Sequence, residues 1–321
     1  MISRDIHRAA QHDLRVIDSV AELRAELGRA RVAGSARIGL VPTMGALHEG
    51  HLSLIDRSVG DCDLTVVSIF VNPTQFGPGE DFDRYPRHLD ADAAIAGRHG
   101  ADLVFAPSAT EIYPGGFATT VAVGGVTERL CGAAHRRGRE HFDGVATVVS
   151  KLFNIVSPDR AYFGQKDAQQ VAVIKRMVRD LDFRVEVIAC PTVREGDGLA
   201  MSSRNEYLSA DERARALSLF RALSAARGAL AGGECRAAVL AGCARDQLAA
   251  ADSVEYVEIV DPGTLTPVTL VDGPVLAVVA AHVGTTRLID NMILDPKASS
   301  ATGTETGLPS TTNQIPQGAV I

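Results

Sequence analysis

Cysteine is scarce in this chain of 321 residues: Cys62, Cys131, Cys190, Cys235 and Cys243 are odd in number, scattered, and form no Cys-x-x-Cys pair. That argues against a disulfide framework and against a thiolate zinc site, and it predicts a reducing, cytoplasmic setting. Apolar runs are short, none reaching the ~20 residues that a bilayer crossing needs. The first fifteen residues interleave Arg4, Asp5, Arg8 and Asp13 with small apolar residues, so neither a signal peptide nor a membrane anchor is expected. Basic residues are in deficit, 32 against 39 acidic, for a formal net charge of −7. This is the wrong sign for a surface that holds a phosphate backbone, and no nucleic-acid partner is expected. There is no internal repeat and no Gly-x-x-x-x-Gly-Lys, which excludes a Walker loop.

What is present is an ordinary globular composition, 46% hydrophobic and 22% charged, in a chain long enough for about two domains. β-Branched apolar runs at 38–41, 64–71, 102–106 and 160–163 read as parallel strands buried on both faces. The stretches 51–59, 89–99, 144–156 and 167–181 between and after them have helical length and spacing. Alternation of this kind predicts an α/β fold with a Rossmann-like, doubly wound parallel sheet. Ser19 and Glu22 form a capping-box signature for an earlier helix that runs to about Ala33. After Arg194 two Ala-rich helices, 210–232 and 235–251, precede strands at 254–260, 275–283 and 287–294, the pattern of a smaller α+β unit. The expected division is residues 1–192, a Rossmann-like domain, then 193–295, a small α+β domain. The last segment, 296–321, carries only Lys297 and Glu305 as charges amid Ser, Thr, Gly, Pro and Gln, and reads as a disordered tail.

The first predicted strand ends in Val41-Pro42-Thr43-Met44-Gly45-Ala46-Leu47-His48-Glu49-Gly50-His51, with a helix at once behind it. Two imidazoles three residues apart thus lie at a strand's carboxyl end and a helix amino terminus, where free N–H groups favour an anion. Such a pair can donate hydrogen bonds to charge developing on an α-phosphate. It also reads as a helix cap with solvated histidines; the spacing is not that of a zinc-protease helix. In Ser68–Gly77, Asn72 and Gln75 are neutral donors and acceptors suited to a small polar acid, although an Asn-Pro turn explains the same string. Asp90 and Asp92 open a helix as dipole partners, with a magnesium role for Asp92 as the lesser reading. Arg129, Arg136, Arg137 and Arg139 precede His141-Phe142-Asp143-Gly144-Val145, either as a solvated charge run or as a lining for phosphate or carboxylate. The Gly164-Gln165-Lys166-Asp167 loop leads to Gln170, and Met201-Ser202-Ser203-Arg204 follows later in the chain; both offer cations and hydroxyls for phosphate.

The histidine string resembles the His-x-Gly-His signature of the nucleotidylyl transferase superfamily. Together with the five later blocks it resembles the pantoate–β-alanine ligases, over roughly residues 16 to 295. That resemblance implies an ATP-dependent condensation of pantoate with β-alanine through a pantoyl adenylate, releasing pyrophosphate and AMP, with Mg2+ and a homodimeric assembly. It implies catalytic roles for His48, His51, Lys166 and Arg204. It assigns ATP to Met44, Gly45, Ala46, Leu47, His48, Glu49, Gly50 and His51, to Gly164, Gln165, Lys166 and Asp167, and to Val193, Met201, Ser202, Ser203 and Arg204. Pro42, Asn72, Gln75 and Gln170 are assigned to the acid substrate. Dimerisation is expected around the long strand 64–71. A transferase acting on a phosphorylated acceptor would share the histidines, but should present cations where the neutral amides stand.

Overall fold

The computed structural model describes residues 14–34, 36–77 and 80–299. Six strands form one parallel sheet: β1 (Arg15–Ile17), β2 (Ile38–Thr43), β3 (Leu64–Ile69), β4 (Leu103–Phe105), β5 (Arg160–Gly164) and β6 (Glu186–Cys190). Their order across the sheet is β1-β4-β3-β2-β5-β6. Alternation along each strand sends side chains to opposite faces. Ile38, Leu40, Val66, Phe105 and Phe163 join one core, under α1 (Val20–Gly34), α4 (Arg139–Val156) and α5 (Ala168–Asp180). Val41, Val67, Val104 and Tyr162 join the other, under α2 (Glu49–Asp61) and α3 (Leu89–Arg98). Burying each such side chain contributes about 1.5–3 kcal/mol, and covering both faces explains why these strands are nearly continuous apolar runs.

The order makes β2 the switch point. Its neighbour on one side is β3 and on the other β5, so the connections leave β2 and β5 toward opposite edges and a crevice opens at their carboxyl ends. The histidine loop follows β2 and the Lys166 loop follows β5. A dimer contact around residues 64–71 does not run by strand pairing along β3 itself. β3 is hydrogen-bonded to β2 on one side and β4 on the other, so it has no edge to offer a second copy.

A second, antiparallel sheet has the order β7 (Ser253–Val260), β8 (Val275–Val283), β9 (Thr286–Leu294). One of its faces, with Val257, Ile259, Val279 and Leu288, packs on α6 (Ala210–Ala231) and α7 (Ala237–Asp246). From the other face Tyr256, Leu276 and Val278 enter the core of the large sheet. β8 is therefore covered on both sides, which accounts for its apolar run from Val275 to Ala281. The segment read as a tail begins with one helical turn, Pro296–Ser299; residues 300–321 lie outside the described residues, as do 1–13.

Candidate active site

The loop after β2 owes its shape to glycine and to one buried acid. Gly45 has φ +85°, the left-handed region that glycine enters freely, and Ala46 follows at φ +51°, where a side chain is strained. Asp92, at the start of α3 and only 4% exposed, holds the loop there. Its two oxygens accept the N–H groups of Ala46 (2.9 Å) and Leu47 (2.8 Å). Both oxygens of Asp92, also read as the lesser magnesium candidate, serve the backbone here, and among the described residues no three His, Cys, Asp or Glu side chains converge on a metal position.

Beyond the loop the two histidines cap α2 and also face the cavity, so the cap and the anion site are one device. His48 Nδ1 accepts the Gly50 N–H (3.1 Å), and His51 Nδ1 accepts the His48 N–H (3.4 Å). With each Nδ1 an acceptor, the neutral ring carries its proton on Nε2. The rings lie 4.2 Å apart, centroid to centroid. Burial, then the His48 ring, pushes the His51 imidazole down to about 3. Burial, then Lys166, lowers His48 as well. Both rings are therefore uncharged donors at neutral pH.

A cavity of about 230 Å3 lies against this pair. Pro42, Met44, His48, Gly50 and His51 line it from β2 and α2. Gln75 and Gln170 line it from the 73–75 turn and α5, and Gly164, Lys166 and Asp167 from the end of β5. Val193, Met201, Ser202, Ser203 and Arg204 close it from the chain that follows β6. The expected residues Gly45, Ala46, Leu47, Glu49 and Gln165 do not stand on its wall and contribute backbone shape. A larger space of about 820 Å3 adjoins it toward β9, sharing Arg137, Lys166, Asp167, Ser202 and Arg204.

Asn72 touches the cavity, and its polar atoms are engaged within the protein. Its Nδ2 donates to Gln75 Oε1 (3.1 Å) and to the Gly144 carbonyl (3.2 Å). Its Oδ1 accepts from the Thr74 N–H, the Thr74 hydroxyl and the Tyr113 hydroxyl. The Asn-Pro turn is thus the correct local reading, and its product is a fixed Gln75. With Oε1 engaged, Gln75 is left its Nε2, which lies 3.1 Å from Met44 Sδ. Gly144 permits the approach: a Cβ there would lie 2.3 Å from the Thr74 carbonyl oxygen.

Arg137 and His141, from the stretch read either as a solvated charge run or as a lining for phosphate or carboxylate, also line the cavity. Arg137 grips both oxygens of Glu80 at 2.8 Å. Burial alone would raise the Glu80 carboxyl, but the hydrogen bonds and charge of Arg137 hold it below the usual carboxylate range. His141 donates from Nδ1 to the Gln75 carbonyl (2.7 Å), and burial, then Arg137, brings its imidazole down to about 4. The His-Phe-Asp-Gly-Val string, expected ahead of a helix starting at 144, lies within α4, which starts at Arg139, and the folded chain brings His141 to Gln75.

Known proteins agree on one family. A family model described as pantoate-beta-alanine ligase matches residues 15–293. A pantothenate synthetase of Acidobacterium capsulatum is 54% identical over 293 residues, covering 88% of this chain and 97% of its own. Pantothenate synthetase 1 of Bradyrhizobium diazoefficiens is 55% identical over 285 residues, covering 88% and 98%. The crystal structure of pantothenate synthetase from Thermus thermophilus superposes with a TM-score of 0.81 at 49% identity, over 87% of this chain and 98% of that one. The pantoate-beta-alanine ligase of Francisella tularensis, solved with beta-gamma ATP and beta-alanine, gives 0.70 at 31% identity over 87% and 97%.

Proposed function

The chain belongs to the pantoate–β-alanine ligase family, and from that premise we propose how its cavity joins pantoate to β-alanine at the expense of ATP. A carboxylate resists attack by an amine until one of its oxygens becomes part of a good leaving group. The pantoate carboxylate attacks the α-phosphorus of ATP, forming a carbon–oxygen–phosphorus link and expelling pyrophosphate. The β-alanine amine then attacks the acyl carbon and loses a proton, and AMP departs with the former carboxylate oxygen. No side chain becomes a covalent nucleophile, so the protein's work is positioning and electrostatic stabilisation.

The observation that carries this reading is the pair of neutral imidazoles at the start of α2, facing Lys166 and Ser202–Arg204 across one cavity. His48 and His51 donate from Nε2 to the α-phosphate oxygens as charge builds on them. Lys166 and Arg204 hold the leaving pyrophosphate, with Ser202 and Ser203 as hydroxyl donors. The N–H groups that open α2, near Glu49 and Gly50, face the same anion. Gly164, Asp167, Val193 and Met201 receive the nucleoside, Asp167 through ribose hydroxyls. Gln75 and Gln170, with Pro42 behind them, receive pantoate; neutral amides suit an acid that must remain nucleophilic, since a tight ion pair would blunt it.

Magnesium enters this reading as the partner of ATP, held by phosphate oxygens. The described side chains do not fit a protein-built cage for it, and no step here is routed through the ion. The second unit, residues 193–295, acts as a lid on the nucleotide. The working form is a homodimer. No disulfide joins the five cysteines, all of them among the described residues, which suits a reducing cytoplasm. No described helix is long and apolar enough to cross a membrane.

The route is tested by labelling the pantoate carboxylate with 18O. One labelled oxygen is expected in AMP and the other in the new amide. AMP without label would show that the carboxylate never attacked phosphorus.

A further inference from the structure

Two neighbouring residues of β9 reach in opposite directions. Asp290 and Asn291 are each only 4% exposed, and as successive residues of a strand they point to opposite faces of the small sheet. Asp290 receives Arg194 on both oxygens, at 2.7 and 3.0 Å. The same guanidinium donates to the Gly198 carbonyl (3.0 Å) and stacks on Phe220 of α6. This fixes β9 to the loop that runs on into Ser202–Arg204. Asn291 turns the other way. Its Nδ2 donates one hydrogen to the Gln165 carbonyl (2.9 Å) and the other to the Lys166 carbonyl (2.8 Å).

We propose that Asn291 is a positioning residue for Lys166: its amide straddles two consecutive carbonyls of the Gln165–Asp167 turn and so fixes the direction in which the lysine leaves the backbone. The inference rests on the role given to Lys166 above. Packing alone does not account for an asparagine here. Its Oδ1 is buried without a partner, a cost an apolar side chain of similar size would avoid. On the same face of the sheet Val278 enters the apolar core, while Tyr256 lies under the Arg136 guanidinium and meets Cys131 Sγ through its hydroxyl (3.1 Å). Both hydrogens of the Asn291 amide go to the turn that carries Lys166. Through the Asp290–Arg194 pair, that turn and the Ser202–Arg204 loop are held from one strand, although they are distant in sequence.

The test is a double-mutant cycle on the full chain, read as pyrophosphate release with ATP and pantoate. Asn291→Ala is expected to slow adenylate formation about 10- to 100-fold, the scale of a misplaced catalytic group. The loss should fall on kcat, with the pantoate KM within about 3-fold of the parent. In a Lys166→Ala background the same substitution is expected to cost less than about 3-fold, because there is no longer a lysine to place. A loss that multiplies in full on top of Lys166→Ala overturns the inference, as does an Asn291→Ala enzyme of normal rate. Should Asn291→Ala fail to fold, Asn291→Ser, which keeps one donor, carries the same cycle with the same outcomes for and against. Lys166→Ala at parental speed would remove the role of the lysine itself, and the inference with it.

Discussion

His51 works as a donor because its environment keeps it uncharged, and this sets what its replacement should do. Removing the ring in His51→Ala is expected to slow adenylate formation by about 100-fold, the usual scale for one transition-state donor. His51→Gln, which returns an N–H near the Nε2 position, should recover part of that loss. Pyrophosphate release by folded variants checks both, and a normal rate for His51→Ala would remove the ring from the chemistry. Asn72 and Gln75 should separate in a different way. Asn72→Ala strips a buried network of its centre and is expected to lower stability by about 2–4 kcal/mol while raising the pantoate KM. Gln75→Ala should raise the same KM with little change in stability; thermal unfolding and steady-state kinetics on both variants decide. The sequence made the histidines legible because their whole setting, strand end, glycines and helix start, is contiguous. It did not show the local bonds of Asn72 and Asp92, because residue type does not reveal which polar atoms the fold engages. It left Arg137 and His141 between two readings, because their partners Glu80 and Gln75 lie more than fifty residues away.

Elements tell the same story one level up. The four strands read from apolar runs and the helices between them are present within a few residues, because burial on both faces leaves a continuous apolar signature. β1 and β6 left no such trace: they are the edge strands, the first only three residues long with Val16 half exposed, the second only partly buried. The loop between β2 and α2 is the element on which the site depends, and Asp92 is its anchor. Asp92→Asn would set an amide N–H against one of the two backbone N–H groups and release the strained turn at Ala46. Slower adenylation by about 10-fold is expected, with no change in the magnesium concentration giving half-maximal rate. A shift in that magnesium midpoint would return Asp92 to the metal.

For the molecule as a whole, the average charge conceals a site whose histidines add none of their own. His51 and His141 hold imidazoles near 3 and 4 in the fold, against 6.5 for an ordinary histidine. Their lowered values favour the folded state above pH 6.5, and unfolding takes up protons once the pH drops below that. Stability from this source is therefore lost as the pH falls from about 6.5, to about 4 for His141 and about 3 for His51, at up to about 2.7 kcal/mol per pH unit where both take part. His141→Asn, which keeps a donor toward the Gln75 carbonyl, should flatten the pH dependence of the denaturation midpoint in that window by about one proton. An unchanged slope would contradict the burial argument. The central claim is an activity in two steps within one cavity, and a single incubation addresses it: protein, ATP and magnesium with pantoate, β-alanine being withheld and then supplied. The account predicts about one pyrophosphate per site before β-alanine is added, and sustained AMP formation only after it. AMP formation indifferent to both pantoate and β-alanine would contradict it.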